Sequence, residues 1–121
     1  MDKALYDMVE SKLVTLYGTS TPRLCMLVNE TYDVITSKTR SLYSFVYDLD
    51  EFEEGITGAS KWREVYGLIF DRLEVNEDNA NRLYDFCFKD GVKSVRAYEK
   101  LRGAFYPFLS AERAGRVASG K

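Results

Sequence analysis

The sequence predicts an all-α, single-domain bundle of four to five helices. Three observations carry that reading. Apolar residues recur at helical spacing through most of the chain, most cleanly in Ser60–Glu74, where Trp62, Val65, Tyr66, Ile69, Phe70 and Leu73 mark one face. Cap-type residues and glycines punctuate the segments at helix-length intervals. The chain has 121 residues, 45 % of them hydrophobic and 30 % charged, the profile of one ordinary globular domain. A chain of this length buries enough surface to fold without disulfides or metal.

The first helix is expected over 3–17. Asp2 serves as its N-cap, Leu5, Met8, Val9, Leu13, Leu16 and Tyr17 form its apolar face, and Gly18 supplies a C′ residue able to take positive φ. Thr21 as N-cap with Pro22 at N1 starts the second segment. Val28, Tyr32, Ile35, Thr39, Leu42, Val46 and Leu49 then alternate in steps of four and three, a heptad-like seam. The segment reads as one helix over 22–49, or as two helices broken near Ser37–Thr39, where helix propensity is poor. Its short seam suits a packed bundle helix better than a coiled-coil dimer.

Asp48–Gly58 is acid-rich and ends in two glycines, so it reads as a loop. Ser60 is expected to cap the central helix, 61–74, whose Trp62 and Phe70 are the strongest core candidates. Asn76–Asn79 forms an acidic first turn suited to a helix dipole, leading into a helix over 78–89 with Ala80, Leu83, Tyr84, Cys87 and Phe88 on one face. The last helix is expected over 92–105 with a stripe of Val95, Tyr98, Leu101 and Phe105, stopped by Pro107. The domain is expected to end at residue 109, with 110–121 a frayed or disordered tail.

Composition excludes several chemistries. Histidine is absent, which removes Ser-His-Asp and Cys-His nucleophilic systems and His-containing zinc sites. Cys25 and Cys87 form no metal or redox motif, and both read as reduced, buried thiols. The acidic stretch fails the EF-hand pattern, because Phe52 and Glu53 stand where the loop needs Asp or Asn and then Gly. No phosphate-binding glycine loop or nucleophile elbow is present. The sequence therefore implies no enzyme, cofactor or metal. No apolar run approaches membrane-span length, and the N-terminus lacks the pattern of a secretory signal, so a cytoplasmic-type intracellular protein is the expectation.

Charge is the suggestive feature. Residues 1–88 hold 16 acids and 9 bases, a balance of −7; residues 89–121 hold 3 acids and 8 bases, a balance of +5. Asp48, Asp50, Glu51, Glu53 and Glu54 form a patch for a basic partner. Lys89, Lys93, Arg96, Lys100 and Arg102 form a patch for an acidic partner or for nucleic acid, with the first four expected along one helix face. The plainer reading is that both are solvated surface. FCFKDGVKSVRAYEKLR (86–102) resembles a helix-turn-helix, with Gly91 in the turn and Val95, Arg96, Ala97 and Tyr98 on the recognition helix, although Cys87 replaces the usual small residue. Tyr43, Tyr47, Tyr106 and Phe108 are either core caps or interface anchors. Together these features suggest a non-enzymatic interaction or assembly module, an adaptor or a subunit. It would self-associate by head-to-tail contact of acidic and basic surfaces into a homo-oligomer. The alternative is nucleic-acid binding through the basic helix.

Overall fold

The computed structural model describes residues 1–18, 20–37, 42–56, 60–88 and 94–109. Lys89, Lys93, Gly91, Thr39 and the 110–121 tail lie outside them. The fold is all-helical, with no strand among the described residues. It comprises α1 (Lys3–Tyr17), α2 (Pro22–Ser37), α3 (Leu42–Glu54), α4 (Trp62–Arg72), α5 (Ala80–Phe88), α6 (Val95–Phe105) and a 3-10 turn, Tyr106–Phe108. No helix among the described residues is long and apolar enough to cross a membrane.

Local chemistry sets the first boundaries as the sequence suggests. The Asp2 carboxylate accepts the Leu5 N–H at 3.1 Å. Gly18 closes α1 at φ +66°, its N–H reaching the Val14 carbonyl at 2.7 Å. The Thr21 hydroxyl accepts the Leu24 N–H at 3.2 Å at the start of α2. The heptad-like seam resolves into two helices, α2 ending at Ser37 and α3 beginning at Leu42. The Thr36 and Ser37 hydroxyls bond back to the Tyr32 and Asp33 carbonyls at that end, the competition with the helix ladder that makes these residues poor helix formers. This division accounts for six helices where four to five were expected.

Three expectations about the helices are corrected. Residues 48–54 are helix, not loop. Leu42, Phe45, Val46, Leu49 and Phe52 all face the core, and burying that stripe extends α3 through the acidic run to Glu54. Ser60 does not cap α4. The N-cap position is Lys61, without a side-chain cap bond of its own. Val95 is 67 % exposed, and Ala97, with Tyr98, Leu101 and Phe105, forms the buried face of α6 instead.

The core lies where α4 meets α2 and α6, with α3 packed on α2, α5 and α6 and α1 covering α2. Val65, Tyr66, Ile69 and Phe70 of α4 are buried, while Trp62 is only half-buried, its ring edge-on to Tyr66 with centroids 6.3 Å apart. Aromatic contacts continue from Phe45 to Tyr66, Phe70, Phe105 and Tyr84, the closest being Phe70–Phe105 at 4.6 Å. Glu74 ends α4 at φ +54° in a Schellman arrangement. Its N–H reaches the Asp71 carbonyl at 3.2 Å, and the Val75 N–H reaches the Phe70 carbonyl at 2.9 Å. Of the two cysteines, Cys87 is buried and Cys25 is exposed, which corrects the expectation that both are buried.

Candidate functional site

The two charged stretches meet inside one chain. Asp50 and Glu53 lie three residues apart on α3, so both project from one face. They are 5 % and 6 % exposed. Arg96 and Lys100 lie four apart on α6, which packs across that face. Arg96 donates to Asp50 Oδ2 from Nε at 3.1 Å and from Nη2 at 2.9 Å, and Lys100 Nζ donates to Oδ1 at 2.7 Å. Arg96 also pairs with Glu54, and Lys100 lies 3.9 Å from Glu53 Oε1. Burial alone would raise the Asp50 pKa, but the hydrogen bonds from Lys100 and Arg96 outweigh it and hold the carboxyl below its ordinary range. A buried carboxylate needs such partners.

Glu53 has a second task. Its Oε2 accepts the Tyr17 hydroxyl at 2.7 Å and the Lys61 backbone N–H at 2.6 Å. A carboxylate from α3 thus supplies the hydrogen-bond acceptor at the start of α4 that Ser60 was expected to supply, and its charge suits that end of the helix. Burial, then the Glu53 hydrogen bond, raises the Tyr17 hydroxyl well above its usual pKa.

The remaining residues fall as follows. Asp48 is half-buried on α3 and shares a side-chain hydrogen bond with Glu30 of α2. Burial, that bond, the Asp48 charge and Asp33 push Glu30 up to about 7. This carboxyl pair borders two cavities of about 140 and 180 Å3, smaller than the roughly 300–1,000 Å3 of ordinary ligand pockets. Glu51 is exposed. Arg102 lies 3.9 Å from Glu99. Lys89 and Lys93 lie outside the described residues. Within the helix-turn-helix resemblance, Ala97 and Tyr98 are buried and Arg96 is tied to Asp50. The Tyr43 and Tyr47 rings pack on Tyr98 at 6.5 and 5.3 Å, inside the chain. Phe108 packs on Phe70 at 6.1 Å, while Tyr106 is 46 % exposed.

A groove of about 450 Å3 lies between α4 and the end of α6. Phe70 and Val75 form its apolar base, Gly103 and Ala104 of α6 one wall, and Pro107 and Phe108 its far end. Trp62, Arg63, Gly67 and Asp71 line the α4 side. The Arg63 guanidinium lies 4.4 Å from the centre of the Trp62 ring. Neither Arg63 nor Asp71 has an ion-pair partner among the described residues. Gly67 stands in mid-helix, where glycine costs about 1 kcal/mol against alanine. A Cβ there would meet nothing within 4 Å among the described residues, so their packing gives no reason for it. Sequence reasoning passed over this groove because Arg63, Gly67 and Asp71 looked like an ordinary solvent face. Their four-residue spacing was the available signal. Comparison of the chain with protein-family models, curated protein sequences and solved structures returns no match.

Proposed function

We propose that the chain is a non-enzymatic assembly module, a small rigid helical body that self-associates as a subunit or adaptor of a larger complex. The observation that carries this reading is the α4–α6 groove, which combines an apolar base with an arginine and an aspartate that have no ion-pair partner among the described residues. The pairing of Asp50, Glu53 and Glu54 with Arg96 and Lys100 supports it differently. Those charges lock α3 to α6 and hold the wall of the groove in place. The same pairing counts against the head-to-tail form of association, because its two charged surfaces already face each other in one chain. It also counts against nucleic-acid binding, which needs Arg96 and Lys100 on phosphates.

Size-exclusion chromatography with light scattering, from micromolar to near-millimolar protein, at low and high salt, with and without nucleic acid, tests the reading. The expected result is reversible self-association that nucleic acid does not alter. A chain that stays monomeric throughout sinks the assembly reading. A salt-sensitive complex with DNA or RNA establishes the alternative in its place.

A further inference from the structure

We propose that the α4 edge of the groove is a two-fold self-association surface, in which α4 of one chain lies antiparallel in the groove of a second copy. This rests on the assembly reading above and specifies its surface. Arg63, Gly67 and Asp71 are all exposed and fall four residues apart, so they lie along one edge of α4. Gly67 is midway between the arginine and the aspartate, which are separated by about 12 Å along the axis at 1.5 Å per residue.

That arrangement is self-complementary under one symmetry operation. A two-fold axis at Gly67 brings Arg63 of each chain to Asp71 of the other and sets glycine against glycine. The isologous geometry makes two equivalent ion pairs from one. An ion-pair partner is what both side chains lack among the described residues. The guanidinium over Trp62 is no obstacle, since Arg can stack on a ring with its face and bind a carboxylate with its edge.

The groove also has the relief that an incoming helix needs. The missing side chain at Gly67 lets a second backbone approach closely, and Gly103 and Ala104 opposite are equally small. At Gly103 a Cβ would lie 3.7 Å from the Trp62 ring, an ordinary van der Waals contact. At Gly67 a Cβ would meet nothing within 4 Å among the described residues, yet glycine is among the poorest residues for a helix interior. A second chain crossing at that point accounts for it. Trp62, Pro107 and Phe108 supply apolar surface to be covered.

The test is charge exchange in the full chain, read by sedimentation velocity, with circular dichroism melting to verify that each variant folds. Arg63→Asp makes both ends of the edge acidic, and Asp71→Arg makes both basic. Each alone is expected to weaken self-association at least about tenfold, because like charges then face each other. Mixing the two variants restores a heterodimer, and the double variant Arg63→Asp/Asp71→Arg restores the homodimer. Gly67→Ala gives an independent readout. It raises the melting temperature of the monomer, since it adds helix propensity in open space, and it weakens the dimer.

Self-association that is unchanged in both single variants overturns this surface while leaving the assembly reading standing. Weakening that neither mixing nor the double variant rescues overturns the two-fold arrangement and leaves the edge in a self-contact of different geometry. A wild-type chain that remains monomeric removes both readings together.

Discussion

Replacing Asp50 with asparagine is the sharpest test of how α3 and α6 are joined. The carboxylate is 5 % exposed and accepts three hydrogen bonds, two from Arg96 and one from Lys100. Asparagine keeps the volume, removes the charge and leaves one oxygen to accept. Removing one partner of a fully buried ion pair costs about 3–5 kcal/mol. Here the cost is smaller, because the Arg96 side chain is 55 % exposed and keeps Glu54, while Lys100, 24 % exposed, has Glu53 close by. About 2–3 kcal/mol follows, a fall of roughly 10 °C in melting temperature for a domain of this size. Urea unfolding of Asp50→Asn, Lys100→Met, Arg96→Met and the double variants measures the terms as coupling energies. Lys100→Met should cost more than Arg96→Met, because the Lys100 side chain is 24 % exposed and the Arg96 side chain 55 %, where solvent screens its pairs. The Asp50→Asn loss should persist in about 1 M salt, which screens exposed charges but much less a buried pair. A loss below about 0.5 kcal/mol, or one that salt abolishes, would refute the reasoning and make the cluster ordinary solvated surface.

Two further outcomes follow from groups outside that cluster. Glu30 titrates near 7 in the fold against about 4.3 unfolded, so the native state holds the extra proton and stability falls as pH rises through that interval. Asp50, held low, adds the opposite dependence below about pH 4, so stability is expected to peak near pH 5. Glu30→Gln should remove the upper slope and stabilise the chain at pH 8 by about 1 kcal/mol after solvent screening, and urea titrations from pH 4 to 8 that show no difference between variant and wild type would contradict this. Thiol labelling in native buffer should modify Cys25 readily, since it is exposed, and leave Cys87 untouched, since burial pushes its pKa up to about 12. Equal labelling rates before and after addition of denaturant would show that Cys87 is accessible in the folded chain.

Much of the fold is legible in local chemistry. The Asp2 cap, the Gly18 stop, the Thr21-Pro22 start and the α4 stripe act through the residue's own backbone or one helical turn, so the sequence displays them directly. The acidic stretch misleads for an instructive reason. Five acids within 48–54 suggest solvent, and composition outweighed the apolar spacing of Leu49 and Phe52 that continues the Leu42–Val46 stripe. The candidate groove was legible only as the four-residue spacing of Arg63, Gly67 and Asp71, because an arginine without an ion-pair partner looks the same in sequence as any other until its neighbours are placed.

The sequence by itself determined that the chain is helical, where most helices begin and end, and that opposite charges are concentrated in α3 and in the C-terminal third. Those follow from periodicity, capping and composition, which need no knowledge of distant contacts. Only the tertiary structure decided which charges neutralise one another. Asp50 and Arg96 are 46 residues apart, and nothing local says that α3 and α6 cross there. Once they do, burial demands that Asp50 be paired, and Arg96 and Lys100 turn inward to meet it. Arg63 and Asp71, eight residues apart on one helix, are left at the groove edge without ion-pair partners among the described residues, because no opposite charge among those residues is brought to that edge.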